Sequence, residues 1–434
     1  MKYLFVDNFR GFQETLLPIK DVNFFVGENS TGKTSLLALL KLLSSMSFWM
    51  LGRFSSEEMD FGNYEDIVSM HAEDKKYFHI GVLTGSEKDK KERYKAFLMT
   101  FSESDGMPRV ERYTYIEDNQ KAEVKFKGQR TLYKIGREEG MNEDYDRVRE
   151  LFTKWLECHK KETRGFKELR ESKRLGRNMA AVNALIQAIM KGKSDYDREA
   201  GVSFTWPDVY RMLIWLAPIR TQPQPIYGKF DIPFSPEGHH TPYSIKRLME
   251  SKGKAEEFKG FVKKFGRESG LFDSVDIKKY GKRKAAPFEL DIILSGEATK
   301  ITNVGYGISQ GLPIIVELFE RPKGCAYAIQ QPEIHLHPKA QAALGGLFFD
   351  CAIRENKQFV VETHSDFIID RFRMSFRSKK GKEKPKSQVV YFEKSSKGNI
   401  LNVLDIDEKG NLPKEQPKGY REFFLKEDLR VVGY

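Results

Sequence analysis

The clearest candidate for chemistry is a glycine-rich segment near the start of the chain. Residues 27–34 read GENSTGKT and fit the spacing GxxxxGK[ST] without a mismatch. In such a segment the glycines let backbone N–H groups wrap around phosphate, and the helix that follows adds a favourable field. Lys33 is expected to reach the β- and γ-phosphates of a nucleoside triphosphate, and Thr34 to ligate Mg²⁺. The residues expected to surround the phosphates are Gly27, Asn29, Ser30, Thr31, Gly32, Lys33, Thr34 and Ser35.

Three further segments of unusual composition lie in the last third of the chain. Residues 304–313 read VGYGISQGLP, and their GxGxxxG spacing does not fit a dinucleotide fingerprint. An apolar strand at 325–329 ends in Gln330 and Gln331 and is followed by PEIHLHP, and a second apolar strand leads to ETHSD at 362–366. A serine hydroxyl and the N–H groups at a helix terminus suit a phosphate, so the first of these segments could also serve a nucleotide.

Strands and helices must position these segments. Residues 1–26 show alternating and then continuous apolar residues, which predicts two or three strands bounded by Arg10-Gly11 and Pro18. From Thr34 the sequence is apolar nearly all round, as in a helix buried beneath a sheet. Strand, loop and helix therefore follow one another in the order that a phosphate-binding loop needs.

The pattern changes between about 140 and 200. Two amphipathic helices are predicted there from apolar residues at helical spacing, namely Val148, Leu151, Phe152 and Trp155, and then Val182, Leu185, Ile186 and Ile189. The basic stretch at 157–177 is expected to form an exposed arm or hairpin tip, either a solvated spacer or a binding surface. The expected organisation is an ATPase part at 1–139, a helical arm at 140–205 and a second ATPase part at 206–434. A second basic run, at 371–386, is expected to be a flexible surface loop.

The order of the motifs resembles that of the ABC-type P-loop ATPases. It is most similar to the stand-alone bacterial ATPases of the overcoming-lysogenization-defect and recombination-repair groups, which occur in anti-phage defence systems. The resemblance rests on the phosphate-binding loop, VGYGISQG, QPEIHLHP and THSD, and covers residues 1–45 and about 300–400. It implies an α/β fold, in which an ABC-type sheet flanked by helices is interrupted by the helical, coiled-coil-like insertion. It also implies ATP and Mg²⁺ as cofactors, and a head-to-tail homodimer or higher oligomer.

The resemblance gives each later motif a role. Gly307, Ser309, Gln310 and Gly311 would form the signature motif, which contacts the γ-phosphate of the ATP that the other subunit holds. His364 would be the switch histidine, which hydrogen-bonds to the γ-phosphate. His335 and His337 are expected to line a loop that touches the partner subunit, because no third ligand of suitable spacing supports a metal site.

The strand end at Gln330 and Gln331 departs from the family pattern. The family places an acid there to hold Mg²⁺, and commonly a second carboxylate to orient water. Thr34 and Gln330 are thus the expected Mg²⁺ ligands, but an amide supplies no negative charge and accepts no proton as a base. Hydrolysis is expected to be slow or absent, with Glu333 as the nearest carboxylate that could assist, and the chain's standing as an ATP hydrolase stays open. Gln330 itself has two open origins, natural divergence or an introduced Glu-to-Gln change.

Composition limits the classes of function. The chain has 73 basic and 62 acidic residues, a net charge of +11, which suits a surface that meets nucleic acid or an acidic protein. No run approaches the roughly 18–20 apolar residues of a membrane helix, and a signal peptide is not recognisable, so a cytoplasmic protein is expected. Cys158, Cys325 and Cys351 lack paired spacing, which predicts neither a disulfide framework nor a zinc knuckle.

Three functions fit the sequence. The first is an ATP-switched dimeric regulator or scaffold of a separately encoded effector, such as a nuclease or toxin, in anti-phage defence. The segment after Asp366 contains no second set of acidic metal ligands, so a fused nuclease is not expected. The second is a DNA-binding repair or chromosome-type clamp, and the third is a solitary ATPase. The sequence does not identify the effector, the trigger or the oligomer beyond a dimer.

Overall fold

The chain forms two compact units. The structure, a computed structural model, describes residues 2–56, 58–72, 74–88, 91–117, 119–139, 144–161, 164–169, 179–191, 212–228, 232–378, 383–420 and 422. The first unit comprises residues 1–20, 28–212 and 392–402, and the second comprises residues 21–27, 213–391 and 403–434. The segment expected to form a separate arm is thus part of the first unit, and the expected boundary at 205 lies outside the described residues.

An eight-stranded antiparallel sheet is the centre of the first unit. Its strands are β1 (Lys2–Asp7), β2 (Thr15–Ile19), β4 (Tyr77–Lys88), β5 (Lys91–Ser104), β6 (Met107–Glu117), β7 (Gln120–Lys127), β8 (Arg130–Arg137) and β9 (Lys167–Glu168), with spatial order β2-β1-β4-β5-β6-β7-β8-β9. Its helices are α1 (Lys33–Leu43), α2 (Met46–Leu51), α3 (Tyr64–Ile67), α4 (Tyr145–Lys160) and α5 (Met179–Met190). Pro18 lies inside β2 rather than at its end, which is tolerated because β2 is an edge strand.

The two helices predicted between 140 and 200 are confirmed as α4 and α5, and each packs on the sheet. The apolar residues of α4 pack on one face of the sheet, where the Phe152 ring stacks on Phe5 at 5.0 Å. The opposite face carries Phe97, whose ring meets Trp49 of α2 at 5.2 Å. The stretch between the helices was predicted to be an exposed hairpin tip, but its residues Lys167–Glu168 pair with β8 because that strand offers a sheet edge. Residues 162–163 and 170–177 of the stretch lie outside the described residues.

The apolar run after Thr34 forms two helices rather than the one predicted. Helix α1 ends at Leu43, and the Ser44 hydroxyl donates to the Lys41 carbonyl at 2.7 Å. Ser45 then caps α2 by accepting from the Ser47 N–H at 3.2 Å. Serine side chains bind nearby backbone groups in competition with the helix, which explains the break.

A six-stranded sheet is the centre of the second unit. Its strands are β3 (Val22–Gly27), β10 (Leu213–Leu216), β14 (Ala326–Gln330), β15 (Gln358–Glu362), β16 (Ser387–Ser395) and β17 (Gly398–Ile406), with spatial order β10-β14-β15-β3-β16-β17. Strands β11 (Ser274–Lys279), β12 (Phe288–Leu294) and β13 (Glu297–Lys300) form a smaller antiparallel sheet. The helices are α6 (Thr241–Glu250), α7 (Ala255–Ser269), α8 (Tyr306–Glu320), α9 (Pro338–Glu355) and α10 (Asp366–Ser378).

Helix α10 corrects the prediction of a loop at 371–386. Residues 371–378 are helical because Phe372 and Phe376 fall at helical spacing and are buried in the core of the second unit. The Phe372 ring meets Phe24 of β3 at 5.1 Å. Residues 379–382 of the run lie outside the described residues. None of the helices in the described part of the chain has the length and apolar character needed to cross a bilayer.

Candidate functional site

The phosphate-binding loop is shaped by its glycines. Gly32 is the N-cap of α1 and has φ 85°, in the left-handed region that favours glycine. A Cβ at this position would also lie 2.5 Å from the Cζ atom of Phe12. Gly32 is therefore required both by its backbone conformation and by space, as the motif predicts. Ser30 also has positive φ, at 61°, so the loop is tightly curved before the helix starts.

Inside the loop, two side chains converge on one carbonyl. The Lys33 ammonium donates to the Glu28 carbonyl oxygen at 2.6 Å, and the Thr31 hydroxyl donates to the same oxygen at 2.8 Å. Lys33 is only 3% exposed, whereas Thr34 is exposed and Ser35 half-buried. A phosphate would be a stronger acceptor for the ammonium than this neutral carbonyl, since it carries charge.

An edge of the parallel sheet in the second unit carries several of the other predicted residues. Strands β14, β15 and β3 are neighbours and run parallel, so their carboxyl ends lie together. Gln330 is opposite Glu362, and Glu362 is opposite Phe25, two residues before Gly27. Open α/β sheets bind ligands at this edge. The phosphate-binding motif thus begins at the edge that carries the residues predicted for Mg²⁺ and water.

Glu362 is a carboxylate that the sequence reasoning missed. The Gln330 side-chain amide donates to Glu362 Oε2 at 3.3 Å, and both residues are buried. The backbone N–H of Gln331 donates to the Glu362 carbonyl at 2.7 Å, with Gln331 at φ 41°. No local signal in ETHSD points to this pairing, because the register of β14 on β15 creates it.

The structure brings together Glu333 and His364, two residues that were each predicted for the site. The Glu333 carboxylate accepts from the His364 backbone N–H at 2.6 Å and from the Thr363 hydroxyl at 2.8 Å. Burial raises the pKa of Glu333, against these hydrogen bonds and the charge of Arg220, which lower it. A carboxylate with a raised pKa is a better proton acceptor near neutral pH. Glu333 is therefore suited to be a base.

Arg220 is a second residue that the sequence reasoning missed. It is 2% exposed, and its Nη2 donates to the Gln330 carbonyl at 3.2 Å. Burial lowers the pKa of Arg220 to about 10, while the charge of Glu333 acts to raise it. Its Nε and Nη1 atoms have no hydrogen-bond partner among the described residues. An arginine four residues after the apolar strand β10 was the available signal.

The backbone of Arg220 also binds the signature segment. Its N–H donates to Gln310 Oε1 at 3.2 Å, and Gln310 Nε2 donates back to the Arg220 carbonyl at 3.4 Å. Gln310 is buried, so the structure uses this predicted signature residue for an internal contact. Arg220 consequently links the strand end at Gln330 to helix α8.

The start of α8 lies against the loop that follows β14. The Ser309 hydroxyl donates to the Tyr306 carbonyl one turn earlier at 2.7 Å, and Ser309 is 7% exposed. The Tyr306 ring meets His335 edge-on at 4.9 Å. His335 is exposed, and the exposed His337 caps α9 by accepting from the Lys339 N–H. Among the residues that the structure describes, no group of three or more His, Cys, Asp or Glu side chains could hold a metal ion.

Gly307 permits this close approach. A Cβ at Gly307 would lie 2.4 Å from the His335 carbonyl oxygen, so Gly307→Ala is expected to cost about 1–3 kcal/mol of unfolding free energy by overpacking. Urea denaturation measures the loss. Gly305→Ala is the matched control, because a Cβ there meets nothing within 4 Å and its φ is −56°. Equal stability of the two variants would contradict the described contact.

Comparisons with known proteins place the fold among ATPases. A family model described as an AAA ATPase domain matches residues 1–369. A comparison with curated proteins finds no relative. Among solved structures, the Smc head bound to the C-winged helix domain of ScpA is similar, with 12% identity and TM-score 0.42, over 94% of this chain and 98% of that chain.

Two further structures are similar at comparable levels. The SMC head domain from Thermotoga maritima has 10% identity and TM-score 0.37, over 92% of this chain and 97% of that chain. The recombination mediator protein RecF of the RecFOR pathway has 12% identity and TM-score 0.33, over 92% of this chain and 97% of that chain.

Proposed function

This chain belongs to the AAA ATPase domain family, and we propose that it is an ATP-binding switch that closes on a second copy of itself and hydrolyses ATP slowly. The phosphate-binding loop carries the proposal. Its glycine at the helix cap, its buried lysine and its curved backbone are the features that binding of a triphosphate needs.

Each loop residue has a defined task in this proposal. Backbone N–H groups of residues 27–34 bind phosphate oxygens, and Lys33 exchanges the Glu28 carbonyl for a phosphate. Thr34 is an exposed residue, and its hydroxyl suits Mg²⁺, which prefers oxygen ligands and keeps part of its water shell. When bound, Mg²⁺ supplies neutralisation of the charge on the phosphates.

Slow hydrolysis follows from the amides at the strand end. Gln330 offers Mg²⁺ an oxygen without charge, and Gln331 cannot take a proton from water. Glu333 is the proposed residual base, because its carboxylate is fixed by two hydrogen bonds and its pKa is raised by burial. His364 shares that arrangement through its backbone N–H and is the proposed sensor of the γ-phosphate.

Closure between subunits is proposed to depend on Ser309 and its glycines. In the family pattern the signature segment meets the ATP of the partner, so a large cation at 309 should prevent closure. Ser309→Arg is expected to abolish ATP-dependent shortening of a cross-subunit distance while ATP still binds at Lys33. Fluorescence energy transfer between labelled subunits measures the distance, and calorimetry measures the binding.

Two further variants distinguish the effect of a large side chain at position 309 from the effect of losing the hydroxyl. Ser375→Arg is a matched control, since this helical serine also donates to a carbonyl of the preceding turn, that of Arg371, at 2.8 Å. Ser309→Ala removes the hydroxyl without adding bulk and is expected to weaken closure only in part. Normal ATP-dependent closure in Ser309→Arg would refute the proposed role.

Two alternative partners are proposed, an effector protein and duplex DNA. A separately encoded effector in anti-phage defence is proposed on the resemblance of the motif order, and co-purification with the product of a neighbouring gene tests it. The alternative is a DNA clamp, which predicts that duplex DNA is retained only when ATP is bound. A gel-shift titration with and without ATP distinguishes the two.

A further inference from the structure

The face of the eight-stranded sheet that α4 covers is apolar in one part and polar in another. Near the middle of α4 it is apolar, where Phe5, Leu98 and Ile116 pack with the helix. Further along, towards the C-terminal end of α4, five adjacent strands place polar residues directly opposite one another in register. These residues are Asp7, His79, Thr100, Arg112 and Lys125.

The end of α4 fixes this polar row in place. The two ring nitrogens of His159 lie 2.6 Å from the Thr100 hydroxyl and 2.7 Å from the Thr114 hydroxyl. Burial holds the pKa of His159 well below its ordinary value, and the charge of Arg112 acts in the same direction. His159 is therefore neutral at pH 7 and has a structural task.

Arg112 is held from two sides. Its Nη1 donates to the Cys158 carbonyl at 2.7 Å, and its Nη2 pairs with Glu123 at 2.7 Å. Arg112 and His79 are each 2% exposed and Thr100 is 5% exposed. Asp7, His79, Thr100 and Arg112 thus form a buried polar floor, and Lys125 at the end of the row is half-buried.

A pocket of about 300 Å³ opens above this floor. Its cationic lining residues are Arg112, Lys125, Lys127, Lys160 and Lys161, whereas Glu111 is the one carboxylate among the described lining residues. Much of the positive charge is compensated nearby. Arg112 pairs with Glu123, Lys160 lies 3.8 Å from Asp7 and 3.6 Å from Glu14, and Lys161 lies 3.5 Å from Glu157. Among the described residues Lys125 has no carboxylate partner. The lining residues themselves therefore carry more positive than negative groups, and Lys125 is the cation among them for which no ion pair is described.

We propose that this pocket binds a phosphate group. Several ammonium groups above a buried, low-dielectric floor attract a dianion more strongly than the same groups would in water. The volume, at the lower end of the range of about 300–1,000 Å³ for ligand pockets, admits a phosphate with a small group attached. The group could come from a small phosphorylated molecule or from a nucleic-acid backbone. This site is distinct from the phosphate-binding loop, and it requires neither ATP nor a dimer.

The double variant Lys125→Ala/Lys127→Ala tests the site in the full chain. Both lysines have solvent-accessible side chains, so the variant is expected to fold, and thermal unfolding checks this. Calorimetric titration with inorganic phosphate, with ATP analogue occupying the loop, is expected to show at least a tenfold loss of affinity. Lys252→Ala/Lys263→Ala is the control, because it removes two lysines from the second unit and should leave phosphate binding unchanged. Equal phosphate affinity in the two double variants would overturn the proposal.

Two more probes identify the source of the phosphate. A 5′-mononucleotide that loses affinity in the double variant, while a single-stranded oligonucleotide does not, would support a small phosphorylated ligand. Loss of oligonucleotide affinity together with a shallower dependence of log K on log salt would support backbone phosphates, because fewer counterions are released. Unchanged binding of all probes would refute both.

Discussion

Lys33→Ala is expected to weaken ATP binding about 30- to 100-fold, which corresponds to the loss of about 2–3 kcal/mol for a charged hydrogen bond. The Lys33 ammonium is buried and already oriented across the loop by the Glu28 carbonyl at 2.6 Å. Little side-chain entropy is therefore lost when a phosphate replaces that carbonyl. Calorimetry with Mg²⁺ and ATP gives the affinity directly.

The matched control for this prediction is Lys41→Ala. Lys41 lies on the same helix, in its last turn, and pairs with Glu58 at 2.6 Å. Its removal costs an ion pair without touching the loop, so ATP affinity should remain that of the unaltered chain. If Lys33→Ala binds ATP as tightly as Lys41→Ala does, the nucleotide is held elsewhere.

Gln330→Glu is expected to raise ATP turnover at least tenfold, equivalent to about 1.4 kcal/mol of barrier. A carboxylate at the end of β14 supplies the negative charge that the amide lacks for Mg²⁺. Steady-state phosphate release measures the rate. Gln330→Asn is the control, because it shortens the side chain and adds no charge, and it should not raise turnover.

Gln330→Glu is also expected to change how the stability of the protein depends on pH. The Gln330 amide nitrogen lies 3.3 Å from Glu362 Oε2, so Gln330→Glu places two carboxylates beside each other in a buried position. Each raises the pKa of the other. Folded-state pKa values above the unfolded values mean that stability falls as pH rises through them. Without Mg²⁺ the variant should lose stability as pH rises above the ordinary glutamate pKa of about 4.3, and Mg²⁺ should restore it. A rate and a stability profile that both match the unaltered chain would show that charge at 330 does not limit turnover.

The backbone conformation of the phosphate-binding loop could be predicted because it depends on local sequence. Strand β3, the glycines and α1 follow one another without a break, and each has its own signal. Helices α4 and α5 were likewise predicted from spacing within a single element. The break between α1 and α2 at Ser44 was not predicted, because two serines inside an apolar run are compatible with one helix or with two.

The antiparallel sheet of the first unit was not predicted, and burial explains why. Strand β6 is buried over most of its length, since helices cover both faces of the sheet. A strand that is buried on both faces loses the alternation of apolar and polar residues that marks a half-exposed strand. The pairing of Gln330 with Glu362 was hidden for another reason, namely that parallel register is set by contacts far apart in sequence.

The position of β3 has a consequence for the order of folding. Asn23 lies near the start of the chain, yet its side chain binds the Phe359 carbonyl, 336 residues away. Strand β3 lies between β15 and β16 in the sheet. On a ribosome the strand that leads into the phosphate-binding loop must therefore wait for β15, whose Phe359 follows Asn23 by 336 residues, before this neighbour exists. Such long-range pairing is slow and leaves apolar strand edges exposed in the interval. Premature termination before residue 358 would accordingly yield an aggregation-prone fragment rather than a smaller nucleotide-binding protein.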